Sequence, residues 1–197
     1  YRNLIRLYQE GKVSFRNVVT FNMDEYVGIP EDHPESYHSF MWKNFFSHID
    51  IRPENVNILN GNAEDLVAEC ARYEEKIKNY GGIMLFLGGI GPDGHIAFNE
   101  PSDAFTGESF KIALTQSTID ANSIYFDDIP MPRYAMTMGI GSIMKAKKIV
   151  LIATGASKAE AVKGMIKGEV TRQLPASILQ QHQDVVIFLD EAAASLL

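Results

Sequence analysis

The segment Gly88-Gly89-Ile90-Gly91-Pro92-Asp93-Gly94-His95-Ile96-Ala97-Phe98-Asn99-Glu100 places two carboxylates and an imidazole on one short, glycine-rich stretch. An imidazole titrates near neutrality, so it can both take and give a proton. A flanking carboxylate, here Asp93 or Glu100, can fix its tautomer and support its charged form. The glycines open backbone paths closed to other residues and let a ligand come close. The plainer alternative is a turn with a capping Asp and a surface His. This is not a dinucleotide fingerprint, because Gly94 falls one step early for a third glycine.

Two other segments could join such a site. Asp24 and Glu25 follow the β-branched, aromatic run Val18-Val19-Thr20-Phe21. A carboxylate there could act as a general base on a carbon acid; the alternative is a solvated acidic loop or a helix N-cap. Thr154-Gly155-Ala156-Ser157-Lys158 follows one apolar run and opens a helical pattern. Free N–H groups at a helix start favour an anion, and Lys158 adds a point charge. The segment lacks the glycine and Gly-Lys-Ser/Thr pattern of a P-loop. His33, His38 and His48 have no zinc-ligand spacing, so they are expected to be solvated or on a helix surface, and no metal site is expected. Cys70 lies on a helical apolar stripe and reads as inert core.

The elements that would carry these segments alternate. A helix runs through Leu4, Ile5, Leu7 and Tyr8 to Gly11, and a strand covers Val18–Phe21. A polar loop is expected over 22–35. Ser36 caps a helix with Tyr37, Phe40, Met41, Phe45 and Ile49 on its apolar face. A short strand is expected at Val56–Leu59. Asn62 caps a helix burying Leu66, Val67, Cys70, Tyr73 and Ile77, which ends at Gly81-Gly82. Ile83–Leu87 is apolar at every position, as in a strand covered on both faces. A helix at Thr118–Ala121 and strands at Ala135–Met138, Lys148–Ala153 and Val185–Leu189 follow. Between the last two runs a helix turns Ala159, Val162, Met165 and Ile166 inward. Strands alternating with helices predict an α/β fold, with a mostly parallel sheet flanked by helices and residues 1–197 forming a single domain. Because the chain opens directly on a helix, the first strand of such a fold is expected to be missing.

The 197 residues carry 18 Lys and Arg against 25 Asp and Glu, a net charge of −7. That balance argues against nucleic acid and anionic membrane, so an anionic ligand must be held by local groups. No apolar run reaches the roughly 20 residues of a membrane span. One cysteine allows no internal disulfide, which with the absence of a signal peptide predicts a cytoplasmic protein.

The residues Phe21-Asn22-Met23-Asp24-Glu25-Tyr26-Val27-Gly28, Asp32-His33-Pro34-Glu35-Ser36-Tyr37 and Gly88–Pro101 resemble signatures of the glucosamine-6-phosphate deaminases. Leu174-Pro175-Ala176-Ser177 resembles the shorter bacterial members. The resemblance runs through most of the chain. It implies a Rossmann-like fold and conversion of an amino sugar phosphate, glucosamine 6-phosphate, to fructose 6-phosphate and ammonia without metal or organic cofactor. It implies that Asp24 moves a proton between C2 and C1. His95 would open the pyranose ring, with Asp93 and Glu100 supporting it, and Lys158 would contact the phosphate. Members include monomers and homo-oligomers.

Three departures accompany the likeness. The family's phosphate-cradling Pro-Thr-Gly-x-Thr-Pro loop lies before the helix that starts this sequence. Ile124 stands in Ala121-Asn122-Ser123-Ile124-Tyr125-Phe126 where the family carries a phosphate-binding Arg. Ser102–Phe110 holds no Arg or Lys, so the allosteric response that this loop serves in some members is not expected. These departures leave a non-catalytic sugar-phosphate binder or sensor, or a related amino-sugar-phosphate isomerase or lactonase, as alternative readings.

Overall fold

The computed structural model of the chain describes residues 1–197, except the side chains of Ser117 and Ala121. In chain order the first elements are α1 (Arg2–Gln9), β1 (Thr20–Phe21), β2 (Asp24–Tyr26), α2 (Tyr37–Asn44), β3 (Val56–Asn57), α3 (Leu66–Asn79) and β4 (Leu85–Gly88). They are followed by β5 (Phe110–Ala113), α4 (Gln116–Asn122), β6 (Tyr134–Thr137), α5 (Ile140–Met144), β7 (Lys148–Ala153), α6 (Ala159–Lys167) and β8 (Val185–Leu189). The chain divides into two compact units, Tyr1–Glu69 with Lys111–Met136, and Cys70–Phe110 with Thr137–Leu197.

In the first unit, Met41, Phe45, Phe46 and Ile51 form a buried cluster against which Leu4, Ile5, Phe15 and Trp42 pack. The Tyr1 ring stacks on Phe45 at 4.8 Å, which seats α1. β1 pairs in parallel with β3, Thr20 opposite Val56. A three-stranded sheet runs in the order β2-β6-β5. Ser36 caps α2 as expected, its hydroxyl accepting the Ser39 N–H at 2.9 Å.

Three local expectations are corrected here. Residues 24–26 lie not in a polar loop but in β2, all three buried, and the Val27 N–H just beyond them donates to the Tyr134 carbonyl at 3.0 Å. Pairing within the fold outweighs the polar composition of that stretch. The cap of α3 is Asp65, whose Oδ1 accepts from the N–H groups of Val67 and Ala68, both at 2.9 Å. Asn62 instead donates to the Ile29 carbonyl at 2.6 Å. Val67, expected on the buried stripe, faces solvent, with 77% of its surface exposed.

The second unit holds a parallel sheet in the order β4-β7-β8. Phe86, Ile149, Leu151 and Ala153 are buried on one face. On the other, Leu85, Leu87, Ile152 and Phe188 are exposed, so the two-sided cover expected for the 83–87 run is absent there. α6 buries Ala159, Val162 and Met165 as its spacing predicts, whereas Ile166, one residue round the helix, is 38% exposed. No helix among the described residues is long and apolar enough to cross a membrane.

Candidate functional site

The expected proton-transfer segment leaves β4 at its carboxyl end, where ligands sit in open α/β sheets. The turn is closed by Gly91 N–H donating to the His95 carbonyl at 2.9 Å and by Gly94 N–H donating to the Gly91 carbonyl at 3.0 Å. Two of its glycines are obligatory. Gly94 has φ +84°, and a Cβ there would stand 2.5 Å from Leu174 Cγ. A Cβ on Gly91 would stand 2.2 Å from both Nδ1 and Cε1 of His95, so the imidazole lies flat against bare backbone.

Asp93 and His95 come together. Asp93 Oδ1 accepts the His95 backbone N–H at 3.2 Å and approaches Nδ1 of the ring to 2.6 Å. The ring approach is an ion-pair contact rather than an aligned hydrogen bond, and Nδ1, itself buried, makes no aligned one. A carboxylate at Nδ1 stabilises the imidazolium and leaves Nε2 to exchange protons with a ligand. Glu100 is buried at the far end of the segment, 8% exposed.

Lys158 stands beyond the neighbouring strand, β7, on a 3-10 turn, Ala156–Lys158, that leads into α6. Desolvation lowers its pKa, and the Asp93 charge works against that lowering. Lys158 is therefore electrostatically coupled to the His95 segment. The turn is anchored by a residue the sequence reading passed over. Both carboxylate oxygens of Asp190, the first residue after β8, lie 3.0 Å from the Gly155 N–H, and Oδ1 also accepts from Ala193 N–H at 2.8 Å. These backbone bonds hold its pKa below the usual carboxylate range. The signal was legible: Asp190 follows an apolar strand just as the segments after β4 and β7 do.

Asp24 lies in the first unit, buried on β2 with 9% exposure. Its charge helps raise the phenol pKa values of Tyr26 and Tyr37, which burial raises most. The two rings stack at 5.3 Å. Glu25 does something else. Its carboxylate accepts the N–H groups of Tyr26, Tyr37 and His38 at 2.8, 3.1 and 2.9 Å, closing the first turn of α2. The helix-terminus alternative thus describes Glu25. Burial nevertheless pushes its carboxyl pKa upward against those three bonds.

His33 is buried rather than solvated. Its Nδ1 accepts from Glu35 N–H at 3.1 Å, which directs Nε2 as donor to Asp128 Oδ1, also at 3.1 Å. The ring stacks on Phe126. Its sequence neighbours gave no hint, because both partners lie more than ninety positions downstream. Ile124 is exposed on the 3-10 turn Ser123–Tyr125. Among the described residues, no three His, Cys, Asp or Glu side chains are grouped to hold a metal.

Residues 1–188 match the family model described as glucosamine-6-phosphate isomerases/6-phosphogluconolactonase. The chain belongs to this isomerase/lactonase family. It is 58% identical over 195 residues to a glucosamine-6-phosphate deaminase of Phocaeicola vulgatus, an alignment covering 98% of this chain and 74% of that protein. It is 56% identical over 195 residues to one of Haemophilus influenzae, covering 98% and 72%. Within the family's solved structures, a monomeric glucosamine-6-phosphate deaminase superposes with TM-score 0.95 at 46% identity, covering 100% of this chain and 82% of that one. A 6-phosphogluconolactonase from Trypanosoma cruzi matches at TM-score 0.73 and 21% identity, covering 98% and 76%, which shows shared fold alone. The α/β architecture, with mostly parallel sheets and flanking helices, is the family's.

Proposed function

We propose that the protein is a glucosamine-6-phosphate deaminase, converting glucosamine 6-phosphate and water to fructose 6-phosphate and ammonia. The observation that carries this reading is the His95 imidazole seated on Gly91 against Asp93, in a chain 58% identical to a protein named for that activity. Opening a pyranose ring removes a proton from the anomeric hydroxyl and delivers one to the ring oxygen. An imidazole with one nitrogen facing a carboxylate and the other free suits both transfers. In this reading His95 opens the ring, and Asp93 and Glu100 support its charge.

The open-chain aldehyde then exchanges a proton between C2 and C1. Asp24 takes the C2 proton, an enolamine forms, and the proton returns at C1. The resulting C2 iminium adds water and releases ammonia, leaving the ketone. Lys158 holds the phosphate, its partly desolvated ammonium giving more attraction than a solvated one. The lactonase alternative requires no carbon base, so it leaves Asp24 without work.

The test is ammonia and fructose 6-phosphate formation from glucosamine 6-phosphate, with galactosamine 6-phosphate and a phosphogluconolactone as controls. Asp24→Asn should abolish ammonia release while the circular dichroism spectrum is retained. Full activity in that variant would remove Asp24 from the mechanism. Binding without turnover in the wild type would establish the sensor reading instead.

A further inference from the structure

We propose that Thr106 is a positioning residue that sets the geometry of the His95–Glu100 segment through Asn99; the inference rests on the proton-transfer role given to that segment above. Thr106 lies in Ser102–Phe110, the stretch whose lack of Arg and Lys argued against an allosteric response.

The hydrogen bonds run in one direction. Ile140 N–H, at the first residue of α5, donates to Thr106 Oγ1 at 2.8 Å. With that lone pair engaged, the Thr106 hydroxyl donates to Asn99 Oδ1 in a short hydrogen bond. That choice orients the Asn99 amide. Its Nδ2 donates to the Ile96 carbonyl at 2.9 Å and to the Met138 carbonyl at 2.8 Å. Asn99 is only 2% exposed, so no water can replace a lost partner cheaply. The Ile96 carbonyl belongs to the residue after His95, and Asn99 directly precedes Glu100. One hydroxyl therefore fixes the backbone between the imidazole and the buried carboxylate.

The segment needs such a hold. Ala97, between the two, has φ +52°, a left-handed conformation that a residue with a Cβ keeps only when its surroundings impose it. The Phe98 N–H is held from outside by Thr137 Oγ1 at 3.0 Å. Thr106 is itself held firmly. Gly141 N–H donates to its carbonyl at 3.1 Å. Three residues on, buried Glu74 accepts from the Ser109 N–H at 2.8 Å and from the Ser142 hydroxyl at 2.8 Å. The clasp thus joins the reactive segment to a fixed point on α3 and α5.

The test compares wild type, Thr106→Val and Thr106→Ser. Valine keeps the shape and removes the hydroxyl; serine restores it. Ammonia release from glucosamine 6-phosphate should show kcat about tenfold lower in Thr106→Val, with KM within about twofold, and most of the rate regained in Thr106→Ser. The His95 ring resonances, followed by nuclear magnetic resonance, should move in the valine variant and return in the serine variant. Unchanged kcat and unmoved ring resonances in Thr106→Val would overturn the proposal. So would equal losses in both variants with a general drop in melting temperature, the mark of a merely structural contact. If the wild type releases no ammonia, the deaminase reading falls, and the His95 ring resonances decide the clasp by themselves.

Discussion

A methyl group on Gly91 would collide with the His95 ring, as the 2.2 Å separations show. The neighbour is a ring pinned at Nδ1 by Asp93, not the loose end of a flexible chain. Gly91→Ala should therefore swing the imidazole off its position, with deamination lost by at least about a hundredfold, the lower end of general acid–base contributions. The far-ultraviolet spectrum should stay native, and a steady-state assay beside it checks both. A second consequence concerns Tyr26, whose phenol burial pushes up to about 12, and Tyr37, which burial also holds well above the ordinary phenol value. Their folded pKa values exceed the unfolded one near 10, so their contribution to stability is complete below pH 10. It is lost as pH climbs through the folded values. Phenolate absorbance should show a late-ionising fraction that Tyr26→Phe reduces, together with a shallower alkaline loss of stability.

The same strands carry two unequal faces. Ile149 and Leu151 are completely buried, while Ile152 and Phe188, opposite one another in β7 and β8, stand about half exposed. Leu151→Ala should cost about 2–5 kcal/mol by leaving a cavity. Phe188→Thr should change stability by less than about 0.5 kcal/mol, since it removes little buried surface. It should also lower the binding of a hydrophobic dye by shrinking an exposed apolar patch. Urea titrations with dye fluorescence distinguish the two faces. The apolar run over 83–87 could not reveal this asymmetry, because continuous hydrophobicity describes what a strand tolerates and not which neighbour arrives. β2 failed to register for the converse reason: Asp24-Glu25-Tyr26 has poor strand composition, and only its place in the sheet beside β6 made it one. Helix boundaries were more legible, since Ser36 and Gly81-Gly82 act within their own turns.

Over the 197 residues, a net charge of −7 repels a sugar phosphate, while in the proposed mechanism Lys158 attracts it locally. Salt screens distant charges before it screens contacts of a few ångströms, and the Debye length falls to about 10 Å at 0.1 M. kcat/KM should therefore rise from very low ionic strength toward about 0.1 M before levelling or falling. Lys158→Gln should keep the rise while losing much of the absolute value, as a salt series of initial rates would show.

The sequence alone determined the alternation of strands and helices, which is written in local spacing and residue type, and its motifs already resembled the family to which the chain belongs. Asp93, Gly91 and His95 are close in sequence, so their meeting needed no long-range information. Tertiary structure decided what each carboxylate does. Asp24 and Glu25 are adjacent and chemically alike, yet Glu25 closes a helix twelve residues away while Asp24 lies buried beside two tyrosines. It also decided that His33 reaches Asp128, that Asp190 anchors the Lys158 turn, and that Thr106 grips Asn99. Such pairings depend on which distant backbone comes within three ångströms, and no local pattern of residue types carries that distance.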